Sequence, residues 1–187
     1  LTPGRLGLAA AMGHPRLKVF RKPRVGILST GDEVVEPGGP LPCGGVYNSN
    51  AYSLLGLVRE AGGEPVLLGK VPDQPEAVLE RLEGAGPLDL LLTSGGVSMG
   101  EYDVVRKVLE RHGEVVFWKV RQQPGGPLLF ARLGGLPVLG LPGNPVSSMV
   151  TFFLYGRPFL YKLLQRTEPP YGRLEARALT PFKGAKG

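Results

Sequence analysis

The apolar run Leu88-Asp-Leu-Leu-Leu92 opens directly into Thr93-Ser-Gly-Gly-Val-Ser98, and a patterned segment over 103–112 follows. A short apolar run bounded by turn residues predicts a buried strand, and the spacing after it predicts a helix. Strand, glycine-rich turn and helix start together bring backbone N–H groups up against an anion. In an open α/β sheet, that crevice at the carboxyl end of a strand is where ligands bind. The stretch therefore points to a small, negatively charged ligand. Gly95-Gly96 also suits an ordinary turn, so this loop alone leaves both readings open.

The same alternation runs through most of the chain. Strands are predicted over 24–29, 65–71, 88–92, 115–120, 128–131 and 137–141, with a long Pro/Gly loop over 37–45. Helices are predicted over 2–12, 49–61, 73–84, 103–112 and 144–164. Asp73-Gln-Pro-Glu76 has the form of a capping box, with Asp73 as the cap. Asn144-Pro145 pairs a good cap with the residue best suited to the first helical position. The expected fold class is α/β, a mostly parallel sheet with helices on both faces. Beyond Thr167 the pattern changes, and 173–179 alternates like the start of a small C-terminal β unit.

Three regions follow from this: a helical, basic lead-in over 1–23, an α/β domain over 24–166, and the beginning of the β unit over 167–187. The chain has no initiator Met and stops inside that last unit, so it is expected to be a piece of a longer protein. No apolar run reaches the length of a membrane span and no signal peptide opens the chain, so no membrane partner is expected. Cys43 is the single cysteine, which excludes an internal disulfide framework and suits a reducing, cytoplasmic setting.

The formal net charge of +6 raises the question of a nucleic-acid partner. Arg16, Lys18, Arg21, Lys22 and Arg24 cluster ahead of the first strand, while the other basic residues are scattered among acids. Neither interleaved aromatics nor a basic recognition helix accompanies them. Nucleic acid is therefore not expected, and a positive field still favours a phosphate-bearing small molecule.

Asp32/Glu33, Asp73 and Glu101/Asp103 fall just after strands, on the edge that parallel strands share. Carboxylates converging there can bind a hard divalent cation, Mg²⁺ above all, and offset the charge of a phosphate ligand. Asp73 and Asp103 are equally explained as helix caps, whereas Glu33 has no capping task. Leu141-Pro-Gly-Asn-Pro-Val-Ser147 sets a rigid turn ahead of another helix N-terminus, an anion-binding element or simply a well-capped helix. Lys119 closes a strand beside Trp118, able to meet an anion as a point charge or to sit as an exposed edge lysine.

Taken together, Ser29-Thr-Gly-Asp-Glu33, Thr93-Ser-Gly-Gly-Val-Ser98 with Gly100-Glu101-Tyr102-Asp103, Phe117-Trp118-Lys119 and Leu141-Pro-Gly-Asn-Pro145 resemble the MoeA family of molybdopterin molybdotransferases. The resemblance covers roughly 1–165, and the central region also looks like MogA and the homologous parts of gephyrin. It implies Mg²⁺-dependent insertion of molybdate into adenylylated molybdopterin, with release of AMP. By that resemblance Ser94, Gly95, Gly96 and Ser98 hold the phosphate end of the pterin. Glu33, Asp73 and Asp103 match the acidic positions around metal and molybdate, Lys119 a basic one. Pro142, Asn144 and Pro145 match the rigid active-site loop. It also implies a homodimer and contact with an adenylyltransferase partner.

This chain departs from the family pattern at one loop. Gln123-Pro-Gly-Gly-Pro127 stands where the family shows Lys-Pro-Gly-Lys-Pro, so Gln123 and Gly126 replace two cations. Two rival functions fit the same fold: a MogA-like adenylyltransferase and a non-catalytic molybdopterin-binding scaffold. Ser94, Val97 and Ser98 depart from the Thr-Thr-Gly-Gly-Thr-Gly loop of the former. The lost lysines leave room for the latter.

Overall fold

The computed structural model describes residues 1–96, 104–172, 174–177 and 179–180. After helix α1 (Pro3–Ala11) come strand β1 (Arg24–Thr30), the short strands β2 (Val34–Val35) and β3 (Val46–Tyr47), helix α2 (Ser49–Glu60) and strand β4 (Glu64–Val71). Helix α3 (Pro75–Glu83), strand β5 (Leu90–Ser94) and helix α4 (Val104–His112) follow. Strands β6 (Gly113–Trp118), β7 (Leu129–Leu133) and β8 (Leu136–Leu141) lead into helix α5 (Pro145–Thr151), a π-helical turn (Phe152–Gly156) and helix α6 (Arg157–Leu163).

The main sheet has six strands in the order β4-β1-β5-β8-β7-β6. β4, β1, β5 and β8 are mutually parallel, β7 runs antiparallel to β8, and β6 antiparallel to β7. The expected mostly parallel sheet is therefore present, with an antiparallel hairpin added at one edge. Central strands covered on both faces read as continuous apolar runs, and β5 is buried along its whole length.

Alternate residues of each strand serve opposite layers, as a period of two requires. Ile27, Leu90, Leu92, Leu139 and Leu141 pack with Ala51, Leu54 and Val58 of α2 and with Phe152 and Leu160. Leu28, Leu91 and Val138 face the other way, onto Val78 of α3 and Val104, Val105, Val108 and Leu109 of α4. Side chains such as Leu54 and Val58, fully shielded from water, contribute about 1.5–3 kcal/mol each. The chain leaves β1 toward α2 on one face and leaves β5 toward α4 on the other. β1 and β5 are neighbours, so their carboxyl ends form the topological switch point of the sheet.

Four sequence expectations are corrected. Asp73 does not cap α3. Gln74 holds the cap position without a side-chain bond, and the Asp73 carboxylate interacts instead with the backbone of Asp32. The strand expected over 88–92 is displaced to Leu90–Ser94; ahead of it, Asp89 joins the start of β1 through its N–H to the Arg24 carbonyl and its carboxylate to Arg21 and the Arg24 N–H.

The long helix after Asn144 is interrupted by the π turn. Pro158, one residue into α6, has no N–H for the ladder and its ring crowds the carbonyl four residues back. The strand expected over 173–179 is absent among the described residues: 174–177 pair with nothing, and Leu174 and Leu179 are almost fully exposed. The predicted long loop over 37–45 is flanked by a short parallel clip, β2 with β3. No described helix is long and apolar enough to cross a membrane.

Candidate functional site

A cleft of about 210 Å³ opens at the switch point, between the carboxyl ends of β1 and β5 and the first turn of α2. Ser29 and Thr30 form one wall, Ser94 and Gly95 the floor, and Gly143 with Pro145 the far side. A larger depression of about 510 Å³ lies between β4 and α3 at the outer edge of the sheet. It is lined by Val66, Leu67, Leu68, Ala77 and Ala85 with Glu80 and Arg81 of α3, and none of the described β1 or β5 loop residues reaches it. The smaller cleft is the functional candidate, because topology rather than volume marks where an α/β sheet binds ligands.

The floor depends on glycine at two positions. Gly95 has φ +90° and Gly96 φ +64°, a region that side chains disfavour. A Cβ on Gly95 would lie 3.0 Å from the Thr30 carbonyl oxygen, and one on Gly96 would lie 2.8 Å from the Thr30 hydroxyl. The Gly95 N–H donates to the Leu141 carbonyl at 3.2 Å, which ties the β5 loop to the end of β8.

Asparagines supply the polar frame. Asn48 caps α2, its Oδ1 accepting from the Ala51 N–H. The same oxygen accepts from the Ser29 hydroxyl at 3.0 Å, and Asn48 Nδ2 donates to Glu36 at 2.6 Å. Tyr52 donates to the other Glu36 oxygen, a contact that holds its phenol above the usual range. Asn50 Nδ2 donates to Ser94 Oγ at 2.7 Å and to the Gly143 carbonyl at 2.8 Å.

An acidic rim adjoins the cleft. Burial, then the like charges of Asp32 and Glu33, raise the Asp73 carboxyl above the usual carboxylate range. The backbone N–H of Asp32 and the Lys70 ammonium oppose that shift. Lys70 is held in place by donating to the Asp32 carbonyl at 3.0 Å. The loops after β1 and β4 thus bring Asp32, Glu33 and Asp73 into one field, while Glu101 and Asp103, the third expected member, lie outside the described residues.

Ser94, Gly95, Pro145 and Glu33 all border the cleft. Gly96 stands behind Gly95 against Thr30. Asn144 caps α5 by accepting from the Ser147 N–H, and Pro142 lies between β8 and that cap. Lys119 lies elsewhere on the same sheet edge. Its ammonium sits 4.2 Å from the centre of the Trp118 ring, and its φ is +73°. β6 stands three strand spacings from β5, roughly 14 Å. Ser98 and Asp103 lie outside the described residues. Sequence reasoning assigns no role to Asn48 or Asn50, and it meets Ser29 and Thr30 only within the Ser29-Thr-Gly-Asp-Glu33 motif. The local signal for the two asparagines is Asn48-Ser-Asn50 at the start of α2, a pattern that helix capping also produces.

An α/β domain with a polar, glycine-floored cleft at its switch point is the class of protein defined here. Residues 26–162 match the family model described as a probable molybdopterin binding domain, and the chain belongs to that family. It is 43% identical over 176 residues to the molybdopterin molybdenumtransferase of Haemophilus influenzae, covering 91% of this chain and 43% of that protein. It superposes on the molybdopterin biosynthesis moea protein from Pyrococcus horikosii with a TM-score of 0.80 and 36% identity, covering 90% of this chain and 42% of that one. The chain spans about two fifths of the length of these relatives. The tungsten cofactor synthesizing protein MoaB from Pyrococcus furiosus, at 16% identity and TM-score 0.58, covers 79% of this chain and 99% of that one, and shares the fold.

Proposed function

We propose that this chain binds adenylylated molybdopterin and serves the insertion of molybdate into it, with release of AMP, in molybdenum cofactor biosynthesis. The observation that carries the reading is the glycine-floored cleft at the β1/β5 switch point with an acidic rim beside it. A phosphorylated pterin needs N–H and O–H donors at its anionic end. The Ser94 hydroxyl would supply one, with Gly95 and Gly96 keeping the floor free of side chains so that the ligand can approach the backbone. Holding the reactants in one cleft lowers the entropic part of the barrier.

Magnesium belongs to the same proposal. Hard carboxylate oxygens suit it, and a cation would relieve the repulsion that Asp32 and Glu33 impose on Asp73. Among the described residues no three His, Cys, Asp or Glu side chains are arranged to hold a metal ion. The ion would therefore rest on Glu33 and Asp73, with the resemblance adding Asp103, and on substrate phosphate, its usual manner of binding. When bound it would offset phosphate charge. A homodimer, contact with an adenylyltransferase, and a cytoplasmic setting in which Cys43 stays reduced complete the proposal.

The test is AMP release from adenylylated molybdopterin with Mg²⁺, with and without molybdate, on this chain and on a version extended to the length of its relatives. Molybdate-dependent release by the extended version supports the transferase reading. Pterin binding without release in either favours a scaffold, and absence of binding overturns the assignment.

A further inference from the structure

Asn50 lies in the first turn of α2, yet it caps nothing, and its side chain turns inward between two loops. Its amide carries two protons, and both are used: one bonds Ser94 Oγ at 2.7 Å, the other the Gly143 carbonyl at 2.8 Å. A carbonyl can only accept, so the Gly143 contact fixes which end of the amide faces that way. The remaining atom, Asn50 Oδ1, is buried with no hydrogen-bond partner. An orphaned buried acceptor weakens the fold. A residue serving the fold alone would not be expected to leave an acceptor unpaired there.

The two loops so joined are those that form the cleft. Gly143 packs against Gly95, where a Cβ would stand 3.8 Å from the Gly95 Cα, and the Gly95 N–H bonds the Leu141 carbonyl. We infer that Asn50 is a positioning residue, a clasp that locks these loops together and turns Ser94 into a hydrogen-bond donor for the ligand's phosphate. The second half follows from the first. Because the Ser94 oxygen already accepts from the Asn50 amide, its own proton is left to point into the cleft, whose floor Ser94 lines. The neighbouring Thr30 hydroxyl, also buried and unpartnered, faces the same glycines. That end of the cleft therefore presents two hydroxyl donors, Ser94 and Thr30, beside the acceptor Asn50 Oδ1, and the pair of donors suits a phosphate oxygen.

This inference rests on the pterin reading above, and the experiment separates the two. Binding of molybdopterin and of the same pterin lacking its phosphate is measured for the wild-type chain, Asn50→Ala, Ser94→Ala and the double variant. Amide hydrogen exchange is followed in the free proteins. The clasp predicts that each single variant loses roughly tenfold in affinity for the phosphorylated pterin, one hydrogen bond's effect on binding, and little for the other. It also predicts that the double variant is no worse than either single one. Gly95 should exchange faster in Asn50→Ala while β1 and β5 stay protected. Equal losses for both pterins, additive losses, or unchanged exchange at Gly95 would overturn it. A wild-type chain that binds neither pterin overturns the functional reading instead. The same variants are then compared with inorganic pyrophosphate: non-additive losses support the clasp, and additive losses or no binding overturn it.

Discussion

The hydroxyl of Thr30 stands 2.8 Å from the point where a side chain on Gly96 would begin, so the last residue of β1 closes the space beside the β5 loop. Val105 of α4 bounds the same point at 3.0 Å. Three elements meet there, and only a residue without a Cβ fits between them.

Gly96→Ala should therefore destabilise the domain by about 2–3 kcal/mol, combining left-handed backbone strain with displacement of Thr30 and Val105. Urea denaturation of the purified variant measures this directly. A loss below about 0.5 kcal/mol, the range of ordinary surface changes, would mean that the loop can move aside without cost.

Gly95→Val is aimed at binding rather than stability. Its φ of +90° and the Thr30 carbonyl 3.0 Å from the new Cβ force the branched side chain toward the cleft or force the loop open. Pterin affinity should fall at least tenfold by equilibrium titration. Unchanged affinity would place the ligand away from this loop.

Asn48 joins the cap of α2, the Ser29 hydroxyl and Glu36, and it is 3% exposed. Asn48→Ala should cost about 2–3 kcal/mol in urea denaturation: about 1 for the cap and the rest for buried partners left unpaired. Asn48→Asp keeps the cap but sets a carboxylate against Glu36. It should be less stable than wild type at neutral pH and recover part of the loss in acid.

Much of this fold was legible because its signals are local. β5 is apolar at Leu90, Leu91 and Leu92 since both its faces are covered, and Asn144-Pro145 opens a helix as its chemistry dictates. The site was legible at its glycines for the same reason. Asn50 was not, because its partner Ser94 is 44 residues away, and nothing near Asn50 distinguishes an inward amide from a helix-start asparagine. Asp73 misled for the converse reason. A well-formed local capping pattern lost to a tertiary contact with the Asp32 backbone. Pro158 is the local signal of the π turn, and it lies inside the apolar run over 144–164 that on its own predicts one unbroken helix.

The loop after Lys119 offers a gain-of-function test. Gln123 is exposed, so Gln123→Lys adds a cation at the carboxyl edge of the sheet with no steric demand. A Cβ on Gly126 would stand 3.2 Å from the Gln122 carbonyl oxygen, so Gly126→Lys needs the loop to yield. Gln123→Lys should bind molybdate several-fold more tightly in isothermal titration, with unchanged stability. An unaltered affinity would mean that the missing lysines are not what limits molybdate binding.

Asp73 ties stability to pH and to magnesium. Burial, Asp32 and Glu33 favour its protonated form in the folded chain more than in the unfolded one. The sign follows from linkage. A carboxyl raised on folding contributes fully below its unfolded value, about 3.9, and that contribution is lost as pH rises through the folded value. At neutral pH the ionised Asp73 therefore weakens the fold. Asp73→Asn should be more stable than wild type at pH 7, and the difference should shrink as the pH is lowered toward the unfolded value. Magnesium should raise the Tm of the wild-type chain at pH 7 by binding the folded form and raise that of Asp73→Asn less. Thermal melts of both proteins across pH, with and without the ion, decide the matter. An Asn variant weaker than wild type at pH 7 would show that Lys70 and the Asp32 N–H outweigh the repulsion. Equal responses to magnesium would remove Asp73 from the metal's neighbourhood.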